Sequence, residues 1–410
     1  MISAGGGKTE IAQQMKRANR RAGLRALALV APLMALLTLV FLLPIGILFL
    51  RAVDNGNAAE LLPRTAAILA EWDGISAPEE PFFAALAGDL QQAPKEKVAE
   101  LAKQLNYTIP GMRSKFIATA RHARSATAPF AAGMIETDPA WATPRYLTAL
   151  QRAIPAVTDF YLLAALDLQR NESGAIGAVP EAEALNLEVL SRTFTVSLSV
   201  TLMCLLLGYP LAALMSRAKG FKASLLLILV LLPFWTSLLV RTSAWVVLLQ
   251  SRGVVNTLLA WMGLIDPNAP LELIYNRIGV VIAMTHILLP FMILPIYSVM
   301  KSIPPVYTRA AASLGARPFA TFWRVYLPMT MPGVSAGALL VFILALGYYI
   351  TPALVGGPKD QMISYFIAYY ANQVTNWGMA AALSAILVAA VLLLYVIYNR
   401  LVGIQKLRVG

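Results

Sequence analysis

Tyr307-Thr-Arg-Ala-Ala-Ala-Ser-Leu-Gly315-Ala-Arg-Pro-Phe-Ala-Thr-Phe-Trp-Arg-Val-Tyr-Leu327-Pro328 lies between two long apolar segments and carries Arg309, Arg317 and Arg324 without a single acid. An excess of Lys and Arg marks the cytoplasmic side of a membrane protein, which predicts a cytoplasmic loop here. Pro304-Pro305 opens a first short helix. Gly315 suits the left-handed residue that ends it, and Pro318 suits the first turn of a second. A bent, aromatic-bearing loop kept on that face is presented to something.

Working outward, the apolar content is 58% and the charged content only 13%, too apolar for a soluble globular chain. Six segments read as spans: Leu24–Leu50, Thr193–Met215, Leu225–Leu249, Ile278–Met300, Gly333–Ile350 and Ala380–Leu401. Most are long enough to cross about 30 Å of hydrocarbon. Lys8, Lys16, Arg17, Arg20, Arg21 and Arg25 precede the first span. Arg217, Lys219 and Lys222 follow the second, and Arg400, Lys406 and Arg408 close the chain. This distribution predicts cytoplasmic N- and C-termini. Three regions follow: 1–51 with the first span, a 52–190 insertion on the opposite face, and a 191–410 five-helix core with the loop 301–330.

The net charge of +12 is a topological signal. The insertion 52–190 holds 17 of the 21 acids and only 11 of the 33 Lys and Arg residues, so the basic surplus sits on the membrane core. It suits anionic lipid headgroups, not nucleic acid. Gly5-Gly-Gly-Lys8-Thr9 is no phosphate loop, because the required first glycine falls on Ile2 and no strand precedes it. Leu24–Leu50 far exceeds the apolar run of a signal peptide and reads as an uncleaved anchor. The lone Cys204 lies inside a span, which excludes an intrachain disulfide. The insertion itself reads as helical. Phe82, Phe83, Leu86 and Leu90 share one face, Val98, Leu101 and Leu105 another, and Met112–Arg124 and Tyr146–Leu168 follow. A docking surface and a purely structural elaboration are both open readings of this cap. His122 has no partner ligands at metal-binding spacing.

No catalytic constellation is present: the two histidines stand far apart, and no Ser/His/Asp order, HExxH or CxxC occurs. The spans contain no Asp or Glu, where ion-coupled carriers commonly place carboxylates, so a secondary transporter is the weaker rival. Arg241 must face the bundle interior or snorkel, as a gate residue or as an anchor. His286 suits a helix–helix hydrogen bond. In Leu346-Gly-Tyr-Tyr-Ile-Thr-Pro352-Ala-Leu-Val-Gly356-Gly-Pro358 the helix breakers predict an interruption near the outer leaflet, with Tyr348 and Tyr349 available for cation–π contact or for an interfacial aromatic belt.

Taken together these residues resemble the permease subunits of binding-protein-dependent ABC importers, in the spermidine/putrescine branch. The family loop reads Glu-Ala-Ala, three residues, Gly, and later Leu-Pro. Ala310, Ala311, Gly315, Leu327 and Pro328 fall at that spacing, with Arg309 at the glutamate position. Leu207-Gly-Tyr-Pro210-Leu-Ala, Leu232-Pro-Phe-Trp-Thr-Ser, Val240-Arg-Thr-Ser-Ala-Trp245 and Gly356-Gly357-Pro358 also match. The resemblance covers about 190–405 and the first span.

It implies an all-α membrane protein with six helices of the type I ABC importer permease fold, multi-pass in a bacterial inner membrane. The loop would form coupling helices that dock on an ATPase dimer, with Phe319, Phe322 and Trp323 as apolar knobs. ATP and Mg would sit on that partner, leaving this chain without a cofactor, a metal or an enzymatic role. A second, different permease subunit (or a second copy) and a periplasmic solute-binding protein complete the expected assembly. Phe234, Trp235, Arg241, Tyr348, Tyr349 and Pro352 would line the translocation path. The polyamine branch typically has an acid where this chain has Tyr348. A polyamine or related organic amine leads as solute, with an amino-acid or opine-like compound as the alternative.

Overall fold

The computed structural model describes residues 28–56, 58–170, 175–181 and 183–402. The basic residues Lys8 to Arg25, the Gly5–Thr9 stretch, Lys406 and Arg408 lie outside the described residues. The chain divides into two compact units, Met1–Thr158 and Asp159–Gly410. Residues 159–190, grouped with the insertion on sequence grounds, fall in the second unit.

The first unit begins with the apolar helix α1, Ala28–Arg51. It widens into a π turn at Thr38–Leu42. Pro44 follows at once, and its missing N–H interrupts the regular ladder. The longer helices of the insertion are α2 Pro63–Glu71, α3 Glu80–Gln92, α4 Lys95–Thr108, α5 Met112–Ala123, α6 Phe130–Thr137 and α7 Pro144–Ala153. The stretch Tyr146–Leu168, read as helical, holds most of α7 and a short helix from Phe160, with Pro155 in the interruption between them.

The faces read from the sequence are the buried ones: Phe83, Leu86, Leu90, Leu101 and Leu105 join Phe116, Trp141 and Leu147 in one core. Each such side chain contributes about 1.5–3 kcal/mol on leaving water. Several polar groups inside this core are paired. Trp141 Nε1 donates to Thr119 Oγ1 at 2.8 Å and the Tyr146 hydroxyl to Asp138 Oδ2 at 2.7 Å. Asp89 on α3 caps α2, accepting from the Thr65 N–H and hydroxyl, each at 2.8 Å. The two ends of the insertion meet: the Asn55 amide donates to the carbonyls of Arg152 and Pro155 at 2.7 and 2.9 Å.

The second unit opens with α8, Phe160–Ala164, and a two-stranded antiparallel hairpin, β1 Leu168–Arg170 and β2 Ile176–Ala178, in the register Gln169 opposite Gly177. Next come α9 Asn186–Arg217, α10 Phe221–Leu231, α11 Leu238–Leu248, α12 Val254–Trp261 and α13 Arg277–Ser302. After α14 Val306–Ser313 and α15 Pro318–Thr321 follow α16 Leu327–Leu346, α17 Ile350–Val355, α18 Ile363–Tyr369 and α19 Trp377–Val402.

The heart of this unit is α9, α13 and α16, whose Val196, Val200, Cys204, Met284, Leu288, Met292 and Val341 are buried together. Small residues set the approach, as expected where helices associate by packing instead of by water exclusion. A methyl group on Gly333 would fall 2.9 Å from the Pro295 carbonyl, and one on Gly337 would fall 3.0 Å from the Met292 carbonyl. Those backbones therefore touch.

The sequence predicts a span over Leu225–Leu249 that contains Pro233, and the structure breaks it sharply there. The segments Phe221–Trp235 and Leu238–Leu248 meet at an angle of 99°. Pro233 cannot donate to the ladder and sits in a 3-10 turn, Leu232–Trp235. Thr236 is extended, and the Ser237 side chain accepts from the Val240 N–H to start α11 afresh.

Candidate coupling loop and outer break region

The loop at 306–326 is built as its sequence demands. The last turn of α14 closes in a Schellman motif: the Gly315 N–H donates to the Ala312 carbonyl and the Ala316 N–H to the Ala311 carbonyl, both at 3.0 Å. Gly315 takes φ +82°, a region that side chains disfavour. Pro318 then occupies the first turn of α15. A π turn, Phe322–Tyr326, joins α15 to α16 without a break.

The geometry sorts the expected side chains into two groups. Phe319 and Trp323 are 75% and 52% exposed, with ring centroids 6.1 Å apart. Phe322 is half-buried and stands edge-to-face with Tyr209 of α9 at 6.3 Å, so it ties the loop to the core and is not an outward knob. Tyr209 is itself fixed by a 3.1 Å hydrogen bond to Thr330 Oγ1. Sequence reasoning missed Leu314, which is 89% exposed at the tip of the bend. Its position just before the left-handed glycine was the available signal. Arg309, Ala310, Arg317, Arg324 and Pro328 are exposed, Leu327 is half-buried and Ala311 is buried. Exposed apolar side chains of this loop thus include Leu314, Phe319 and Trp323, and the same loop exposes Arg309, Arg317 and Arg324.

The candidate path residues have varied surroundings. Trp235 is 82% exposed beside the third-span break. Phe234 turns onto Phe291, ring centroids 5.0 Å apart. Arg241 folds back on the break and donates to the Thr236 carbonyl at 2.9 Å and to its hydroxyl at 3.3 Å. Those donors satisfy backbone that the broken helix leaves open. One turn on, Trp245 Nε1 donates to His286 Nδ1 at 3.1 Å, the interhelical bond expected of that histidine. Thr242 meets Thr351 at 3.2 Å, and Pro352 is buried. Arg241 lies near enough to Tyr348 and His286 for its charge to act on both.

Gly356 and Gly357 are buried close-approach positions. A methyl on Gly357 would fall 2.5 Å from the Tyr275 carbonyl, and the Tyr275 N–H donates to the Val355 carbonyl at 2.7 Å. Asp360, also buried, accepts from Arg277 Nε at 3.4 Å and fixes this turn to the start of α13. Among the described residues no group of three or more His, Cys, Asp or Glu could hold a metal ion.

Residues 197–410 match the family of the binding-protein-dependent transport system inner membrane component. The chain belongs to that family. It is therefore a multi-pass inner-membrane permease subunit of an ATP-driven importer with the type I fold, and the ATPase is a separate subunit. Such an importer also has a solute-binding protein.

The chain is 36% identical over 218 residues to the spermidine/putrescine transport system permease protein PotB of Escherichia coli, covering 53% of this chain and 78% of that one. It is 39% identical to the protein of the same name from Haemophilus influenzae, over 52% and 74% of the two chains. A crystal structure of a bacterial alginate ABC transporter bound to an alginate pentasaccharide-loaded periplasmic protein aligns with TM-score 0.43 and 21% identity, over 53% of this chain and 78% of that chain.

Proposed function

We propose that this permease carries a polyamine or a related organic amine inward, delivered by a periplasmic binding protein and driven by an ATPase dimer. Similarity to two polyamine permeases over more than seven-tenths of their length is the observation that carries the solute class. In this reading the 306–326 loop and both termini face the cytoplasm, and the 52–158 helical insertion faces the opposite side. Leu314, Phe319 and Trp323 enter the groove of the ATPase, on which ATP and Mg are held. A second, different permease subunit completes the path.

One observation favours the alternative of an amino-acid or opine-like solute. Arg241 places a positive charge near Tyr348, at the position where the polyamine branch typically has an acid. A solute carboxylate would suit that charge better than an ammonium would. Reconstitution of the whole importer in vesicles, with labelled putrescine and labelled arginine as probes, separates the two. ATP-dependent, vanadate-sensitive putrescine uptake supports the proposal. Uptake of arginine alone overturns the polyamine reading, and uptake driven by an ion gradient without ATP overturns the importer mechanism.

A further inference from the structure

Beyond the break at Gly347, the Ser364 hydroxyl donates to the Tyr348 carbonyl and draws α18 against the end of α16. This contact sets Tyr365 beside Tyr349, with ring centroids 6.1 Å apart and planes inclined by 39°. One helical turn on, Tyr369 lies 6.4 Å from Tyr365 with the planes only 13° apart. Tyr349 and Tyr369 are 41% and 37% exposed, and Tyr365 between them is half-buried. Phe366 stands edge-on to Tyr365 at 5.4 Å and Tyr370 edge-on to Tyr369 at 5.6 Å, which holds both rings in place.

We infer that Tyr349, Tyr365 and Tyr369 form a cation station, a row of ring faces for a linear organic cation with ammonium groups about four methylenes apart. This rests on the polyamine reading above and assigns the residues that would serve it. An ammonium within about 6 Å of a ring centroid is attracted by the ring's negative face. Nitrogens separated by four methylenes span five bonds, or about 6 Å when extended. That matches the 6.1 and 6.4 Å steps of the row. Successive ammonium groups of one chain can therefore occupy successive ring faces. The row also answers how a cation is stabilised in a bundle whose segments 193–215, 225–249, 278–300, 333–350 and 380–401 lack carboxylates. Asp167, whose charge acts on Tyr370, is already engaged by the N–H groups of Asn186 and Leu187 at 3.0 and 2.8 Å.

The test is labelled putrescine uptake by the complete importer in vesicles, with each rate divided by the amount of assembled complex. Tyr365→Leu and Tyr369→Leu should lower the maximal rate about 3- to 30-fold, while Tyr365→Phe and Tyr369→Phe stay within about twofold. KM should stay constant, because the binding protein sets it. Leu variants that transport normally per complex overturn the station, and so do Leu variants that only reduce the amount of complex in the membrane, as an interfacial anchor would. Phe variants as slow as the Leu variants overturn it too, by assigning the effect to the hydroxyl. If the unaltered importer moves no putrescine, the polyamine reading falls first and the station with it.

Discussion

Replacing Gly315 by other residues separates the bend of the coupling loop from its surface chemistry. Gly315 has φ +82°, and a methyl group built there meets nothing within 4 Å. The cost of Gly315→Ala is therefore backbone strain alone, about 1–2 kcal/mol for an L-residue in the left-handed region. Alanine also restricts the unbent loop, which returns about 0.4–1 kcal/mol. The net is at most about 1.6 kcal/mol against the bent form, equivalent to at most about a 15-fold change in docking equilibrium. Asparagine tolerates this region better than alanine, and valine worse. Gly315→Pro does more damage, because it forces φ negative and deletes the N–H that donates to the Ala312 carbonyl. The assays are the affinity of the ATPase for the reconstituted permease and the solute moved per ATP hydrolysed. Both should fall in the order Gly, Asn, Ala, Val, Pro. Wild-type values for Gly315→Val or Gly315→Pro would refute the bend as the coupling geometry, and so would a far larger loss for Gly315→Ala than for Gly315→Val.

Phe319→Asp should release the ATPase from the purified complex without lowering membrane insertion, read by co-purification, whereas Phe322→Leu should first lower thermal stability in detergent because that ring packs on Tyr209. Gly357→Ala drives a methyl into the Tyr275 carbonyl and should cost about 1–3 kcal/mol of stability, seen as a lowered melting temperature in detergent. In the insertion, burial pushes the Asp138 carboxyl up, but hydrogen bonds from Tyr146 and the Ala140 N–H, together with Lys115, outweigh it and hold the carboxyl below its ordinary 3.8. The stabilisation is thus fully present above 3.8 and is lost as pH falls through the lower folded value. Asp138→Asn should remove that acid-side slope in pH-dependent melting, and an unchanged slope would sink the assignment.

Much of this fold is legible in the residues because local chemistry and tertiary structure agree. Gly315 and Pro318 specify the bend by backbone preference alone, and Phe82, Phe83, Leu86 and Leu90 specify a buried face by spacing alone. The 99° break of the third span was less visible. Pro233 announces an interruption, yet many membrane helices keep a proline without turning, and the angle depends on Ser237 restarting the helix and Arg241 covering the gap. Phe322 could not be told from its neighbours, because a π turn shifts the helical phase and so decides which ring turns inward. Asp167 accepts N–H groups 18 to 20 residues further on, and Tyr365 meets Tyr349 only through the fold. Such contacts leave no periodic trace in the chain.

The backbone-to-backbone seam at Gly333 and Gly337 has a mechanical consequence. The 306–326 loop runs through the π turn into α16, and Pro332, which removes one ladder hydrogen bond inside that helix, places a natural pivot beside the seam. The helix extends 13 residues beyond Gly333, to Leu346, an arm of about 20 Å at 1.5 Å per residue. A tilt of about 10° would swing its outer end by about 3–4 Å, given that arm. That is enough to open or close the space beside Gly347, where the tyrosines begin. In the proposed reading, a push on the loop would be levered into displacement at the Gly347 end of α16, with the glycines as its bearing.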